Sequence, residues 1–346
     1  MTGTENTAHR VEIIGAAMTP MWAAGKTLVA AQGYTLKRSP DGGTSWTELG
    51  TIDGGGWRQR ASVLPLFANV LRGRVYSCLP LDDGTTLVVA GGRVVKARIP
   101  GCQIVGAVRI ERGSRPLNLC RTHAGVVLWG EYFLNLARSK PVRVFGSTDG
   151  GLSWSVAHNF PAGVVCHVHR VEYDPYDDSV LVCTGDRDRE SGIWRTRNGF
   201  RTLEQIAGGS QETRTVTLFP RREALLYATD NPSGRNWIIA MDRASGARHR
   251  IQEIPGPSLQ GCRVGQNVAF STMVERDAHE VSLWLGDESG FRCLLELPAV
   301  KVNRVWRELA GYPTILLPEG PGGDQLYFTP RQTKRYANQL CRVATA

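Results

Sequence analysis

One turn is written twice in this chain. SPDGGTSW at 39–46 and STDGGLSW at 147–154 place Ser, Asp, Gly and Trp at the same offsets. Asp and Ser side chains bond nearby backbone N–H groups, and Gly takes positive φ without a Cβ clash. The Trp then plugs the turn onto what lies beneath. Weaker copies follow at Thr196, Asn198, Thr202 and Leu203, and at Gly286, Glu288, Gly290 and Cys293, with a related turn in MDRASG at 241–246. From 147 onward the spacing is about 45–49 residues, near the length of a four-stranded repeat unit. The gap between the first two copies holds two such units.

Between the turns, short apolar runs such as TLVAAQ, VYSCLP, TTLVVAGG, SVLVCTGD, ALLYATD and NVAFSTMV are bounded by Gly, Pro, Asp or Asn. These read as strands. No long amphipathic helix pattern is found. The expectation is an all-β chain folded as a single β-propeller domain over 1–346, with seven four-stranded blades; six is the alternative, because 55–115 lacks a clear turn motif. The strand-like RVEIIGAA and QLCRVAT near the two ends are expected to share one blade, which removes free sheet edges.

The full turn motifs resemble the Asp-box, or BNR repeat, of the sialidase superfamily. The resemblance covers the blade-like organisation of nearly the whole chain. It implies that each box joins the third and fourth strands of a blade, on the face away from the active site. The boxes are therefore read as folding staples. The superfamily's Arg-Ile-Pro tripeptide occurs only at Arg98-Ile99-Pro100, after the first box, and its three-arginine clamp has no match.

In a propeller, the start of each first strand and the end of each second strand open on one face of the ring. Second-strand ends supply Glu131, Asp186, Asp230, Glu275 and Glu319; first-strand starts supply Arg115, His167, His169, Arg170, Arg214, Arg263 and Arg304. Converged, these make a pocket for an anionic, hydroxyl-rich ligand. Glu131, Asp186, Asp230, His167 and His169 are the catalytic candidates. Arg115, Arg214, Arg263, Glu275 and Arg304 are the substrate-binding candidates. His167 and His169 are two apart and face one side of a strand. No metal or other cofactor is expected, with a divalent ion at this histidine pair as the open alternative. Glu131-Tyr132 places a glutamate beside a tyrosine, as sialidase chemistry uses, but strand neighbours point to opposite faces, so the pair is not read as a dyad.

The formal net charge is +9, scattered without a long basic run, which suits an anionic partner. The function expected is a sialidase-like hydrolase of an acidic glycan, a reading by analogy. A lyase acting on a uronate-containing glycan, or a non-catalytic propeller binding an anionic glycan or a protein, are the alternatives. No apolar stretch reaches the roughly 18 residues of a membrane helix. The first residues lack the pattern of a signal peptide. None of the eight cysteines forms a C-x-x-C pair, and most sit in strand-like runs, which reads as buried thiols in a reducing, cytoplasmic setting. Phosphate-loop, dinucleotide, H-E-x-x-H and G-x-S-x-G motifs are absent. An acidic oligosaccharide or glycoconjugate is the expected partner of a monomer, with neither nucleic acid nor membrane.

Overall fold

The computed structural model describes residues 10–53, 74–275, 278–300 and 311–345. The chain is a seven-bladed propeller. After β1 (Val11–Ala16), blade 1 runs through β2 (Thr19–Ala24), β3 (Thr27–Gln32), β4 (Thr35–Ser39) and β5 (Thr47–Thr51). Blade 2 holds β6 (Val75–Pro80), β7 (Thr85–Ala90), β8 (Arg93–Arg98) and β9 (Gln103–Arg109). Blade 3 holds β10 (Cys120–Arg121), β11 (Val127–Gly130), β12 (Val142–Ser147) and β13 (Ser155–Phe160). Blade 4 holds β14 (His167–Asp174), β15 (Ser179–Gly185), β16 (Gly192–Thr196) and β17 (Glu204–Gly208). Blade 5 holds β18 (Thr215–Pro220), β19 (Ala224–Thr229), β20 (Asn236–Asp242) and β21 (Arg248–Ile254). Blade 6 holds β22 (Ser258–Val264), β23 (Asn267–Thr272), β24 (Glu280–Asp287) and β25 (Gly290–Pro298).

Blade 7 departs from this order. β26 (Thr314–Leu316) pairs with β28 (Gln325–Arg331), which pairs with β29 (Gln339–Ala344), and β1 adds outside β29. Between β26 and β28 the chain leaves its own blade. β27 (Glu319–Gly322) instead runs parallel to β2, with Trp22 opposite Glu319, and also touches β22 and β6. Two glycines permit this passage. A Cβ on Gly320 would stand 2.4 Å from the Ala23 carbonyl oxygen, and one on Gly322 would stand 2.1 Å from that of Arg263.

The apolar runs pack between blades. Leu28, Leu36, Leu87, Leu181 and Leu218 are fully buried, each contributing about 1.5–3 kcal/mol relative to exposure. All eight cysteines are free; seven are buried and Cys293 is exposed.

The boxes close the third and fourth strands of their blades. Ser39 Oγ donates to Asp41 at 2.8 Å and accepts the Gly43 N–H at 2.7 Å, while the Thr44 and Ser45 N–H groups donate to Asp41 at 3.1 and 2.9 Å. Ser147, Asp149, Gly151 and Ser153 repeat the arrangement. Gly43 has φ +97°, and a Cβ there would collide with Ile14 at 2.4 Å. Trp46 Nε1 donates to the Ile14 carbonyl at 3.0 Å. The degenerate copy keeps its bonds, with the Phe200 N–H on Thr196 and the Thr202 N–H on Asn198, both at 3.0 Å. The copy near 286 is not a box. There β24 and β25 are joined by a tight turn in which the Ser289 N–H donates to Asp287. Antiparallel order puts all these turns at the opposite end of the sheets from the second-strand ends.

Candidate functional site

The pocket-facing chemistry begins on β14. His167 and His169 point to the ring axis, and a register shift between Val168 and Arg170 then reverses the alternation. Val168 and Val171 therefore pack into the core, while Arg170 and Glu172 follow the histidines along the channel. The first-to-second-strand pairings of blades 1, 2, 5 and 6 carry comparable shifts near their starts. Bulges of this kind re-aim side chains.

Two polar clusters result. Deep in the channel, Arg170 donates to both oxygens of Glu319 at 3.2 and 3.0 Å and to Glu172 at 2.8 Å, and Arg263 reaches Glu172 at 3.3 Å. Blades 4 and 6 meet the inserted β27 there.

At the other end lies a largely buried cluster that reaches solvent at Asp186. His167 Nε2 and His169 Nε2 are 3.0 Å apart, and Asp186 Oδ1 stands 3.2 Å from the first and 3.6 Å from the second. Arg214, just before β18, reaches Asp186 Oδ1 at 3.3 Å and Asp230 Oδ2 at 3.1 Å. It also donates to the Asp186 backbone carbonyl at 3.0 Å, as does Gln211. The Tyr132 ring lies 4.2 Å from that of His167, centroid to centroid. Asp186 is the accessible carboxylate, its side chain 29% exposed, whereas Asp230 is only 4% exposed.

Protonation follows from these contacts. His169 Nδ1 lies 3.2 Å from the Thr215 carbonyl and His167 Nδ1 lies 3.4 Å from that of Phe133. A carbonyl accepts only, so each Nδ1 carries a proton, and in the neutral ring each Nε2 presents a lone pair. Burial works against charge on His167, but hydrogen bonds to Asp186 and Cys166 outweigh it and carry its pKa up to about 9. Burial pulls His169 down to about 4. Burial opposes charge on Asp186 too, yet both imidazoles hold it far below the usual carboxylate range. Burial pushes Asp230 up to about 7, with Arg214 pulling against it and Glu275 adding to it. Burial, assisted by Asp186 and Asp230, raises Tyr132.

Of the residues singled out in the sequence, His167, His169, Asp186, Arg214 and Asp230 form one connected group. Glu275 is close enough to act on Asp230, and Arg115 on Tyr132. Arg115 also lies over the Tyr76 ring at 4.3 Å. Glu131 is a correction. Its carboxylate is 2% exposed and bound by Arg112 and Arg143, with Arg112 Nε at 2.9 Å and Arg143 Nη2 at 2.8 Å, so it is a structural ion pair and not a pocket group. Tyr132, declined as its dyad partner, is the neighbour that lies against His167; strand alternation sends the two side chains to opposite faces. Arg263 is a second correction, because β22 begins at Ser258 and carries Arg263 down to Glu172. Glu319, read as a second-strand end, lies on the inserted β27. Arg304 lies outside the described residues.

A concavity between blades 4 and 5, on the box face, is lined by charged groups with partners. Asp174 binds Arg243 at 2.6 and 2.9 Å, and Arg195 Nε donates to Glu204 at 2.9 Å.

No family model matches the chain, and no curated protein matches it. Among solved structures it is similar to YCF48 bound to D1 peptide, at 11% identity over the whole of both chains with a TM-score of 0.59. It is similar to the RRP9 WD40 repeats, at 12% identity over 98% of each chain with a TM-score of 0.56. Two prolyl endopeptidases supply a further likeness, at 11% identity and a TM-score of 0.56, covering 92% of this chain and 47% of that one. These likenesses show the propeller fold alone.

Proposed function

We propose that the chain cleaves a uronate-containing glycan at the His167–Asp186–Arg214 pocket, by elimination. The observation that carries this is the cluster's composition: the part-exposed Asp186 with His167 and Arg214 beside it, Tyr132 against His167, and Arg115 close enough to act on Tyr132. Arg115 and Arg214 would hold the uronate carboxylate and stabilise the charge that builds on it as the neighbouring C5–H bond breaks. The Asp186 carboxylate takes that proton. The electron pair left behind forms the C4–C5 double bond, the C4–O4 bond breaks, and the departing oxygen takes the proton of the Tyr132 hydroxyl, which burial keeps protonated. His167 holds the ring of Tyr132 in place. The net charge of +9 favours an anionic substrate.

Hydrolysis, the sialidase-like reading, has less support. It requires two carboxyl groups flanking the scissile bond about 5–10 Å apart. Glu131 is locked between arginines and Asp230 is buried, which leaves the part-exposed Asp186, with Glu275 placed to act on Asp230. A binding-only propeller does not need a cluster of titratable groups with displaced pKa values.

The test is to incubate the purified chain with polyuronates and sialylated oligosaccharides. Elimination produces an unsaturated uronate that absorbs in the ultraviolet, and Tyr132→Phe should abolish it. New reducing ends without unsaturation would establish hydrolysis instead. Binding of these glycans without any cleavage would leave a binding module.

A further inference from the structure

The histidine pair poses a physical problem. Both Nδ1 atoms donate to backbone carbonyls, so in the neutral rings both Nε2 lone pairs face each other across 3.0 Å. Two lone pairs at that separation repel unless a cation lies between them. It is either a proton or a metal ion.

We propose that His167 Nε2, His169 Nε2 and Asp186 Oδ1 bind a divalent transition-metal ion of the zinc class. The three donor atoms form a triangle with sides of 3.0, 3.2 and 3.6 Å. Ligands about 2.0–2.2 Å from one ion stand roughly 3.0 Å apart in octahedral and roughly 3.4 Å apart in tetrahedral coordination. The triangle spans that range. The outer shell is also present: each imidazole is oriented by a carbonyl on its far nitrogen, and Arg214 at 3.3 Å supports the carboxylate. The backbone makes room for one ligand, since a Cβ on Gly185 would stand 2.3 Å from His169 Cε1. Asp186 is part-exposed, so the fourth position opens to the pocket. Two imidazoles and a carboxylate suit zinc with one position left for substrate.

Cys166 lies nearby. Its Sγ, a His167 ring nitrogen and an Asp186 oxygen fall within 4.8 Å of one another. The Sγ lies 3.8 Å from the Asn135 carbonyl, which it can face as a thiol donor. His169 is therefore assigned as the third ligand, in preference to Cys166.

The inference rests on the same pocket as the proposed function, but its experiment uses no glycan. The full chain carrying Cys293→Ser, which removes the exposed thiol, is stripped with a chelator and titrated with zinc alone by equilibrium dialysis. One equivalent should bind. Cobalt substituted for zinc should give visible d–d bands, which need no ligand variant to interpret. His169→Gln and Asp186→Asn should each weaken zinc binding at least tenfold with an unchanged melting curve, and Cys166→Ser should leave it unchanged. A parent chain that takes up no zinc would overturn the inference and leave a shared proton between the imidazoles. So would zinc binding that survives His169→Gln but is lost in Cys166→Ser. Zinc uptake without glycan cleavage would keep this inference and remove the proposed function, whereas undiminished cleavage by chain that binds no zinc would do the reverse.

Discussion

Glu131 and Tyr132 differ by one position and do opposite work. The Glu131 carboxylate neutralises Arg112 and Arg143 in a nearly dry site, so Glu131→Gln leaves two cations short of a partner. A loss of about 3 kcal/mol is expected from breaking such a pair, read as a lower urea midpoint with activity per folded molecule retained. Tyr132→Phe should do the reverse, holding the midpoint and losing turnover. Asp41 and Asp149 offer a pH test. Hydrogen bonds, from Ser45 and Ser153 above all, hold both carboxyls far below their ordinary pKa. A lowered folded-state pKa stabilises above the unfolded value, near 3.9, and that stabilisation fades as the pH falls through the folded value. Asp41→Ala and Asp149→Ala should therefore melt earlier than the parent at pH 7. Their deficit should shrink as unfolding is measured in acid below about pH 4. A deficit that grows in acid would show that the boxes stabilise by some other route.

Among the elements, β27 has the most demanding conformation. It leaves blade 7, lies along β2 and delivers Glu319 to Arg170, 149 residues away in sequence. Gly322 has φ +77° and no space for a Cβ against the Arg263 carbonyl. Gly322→Ala combines left-handed strain with a backbone collision and should cost about 2–4 kcal/mol. Gly92→Ala is the control, with φ +72° and nothing within 4 Å, and should cost about 1 kcal/mol. Equal losses in the two variants would mean that β27 is not held against the channel wall. The register shift in β14 is the other decisive element, because it lets four consecutive polar positions of one strand, His167, His169, Arg170 and Glu172, reach the axis while the valines stay in the core.

For the whole molecule, stability depends on closing the ring. β1 pairs with β29 from Val11–Val343 to Ala16–Gln339, so residues from opposite ends of the chain complete blade 7. Removing residues 1–16 would expose β29 as a free edge. The truncated chain is expected to melt well below the parent and to enter soluble aggregates, seen by size-exclusion chromatography with light scattering. A truncated chain that stays monomeric with an unchanged melting temperature would show that the ring closes without β1.

What the sequence by itself determined is local. Period-two apolar runs punctuated by self-bonded turns specify four-stranded blades, because alternation and turn chemistry act over a few residues; the repeat length gives about seven, and the β6–β9 sheet of the structure decided between seven and six. The same alternation puts His167 and His169 on one side. Tertiary structure alone decided which of Glu131 and Tyr132 faces the axis, that Arg263 and Glu319 belong to a buried network, and that Asp230 is covered. Those outcomes turn on bulges that reverse strand parity and on partners supplied by other blades. Neither leaves a mark on local periodicity: a one-residue shift sends every following side chain to the other face, and a charge's role depends on what the ring brings beside it.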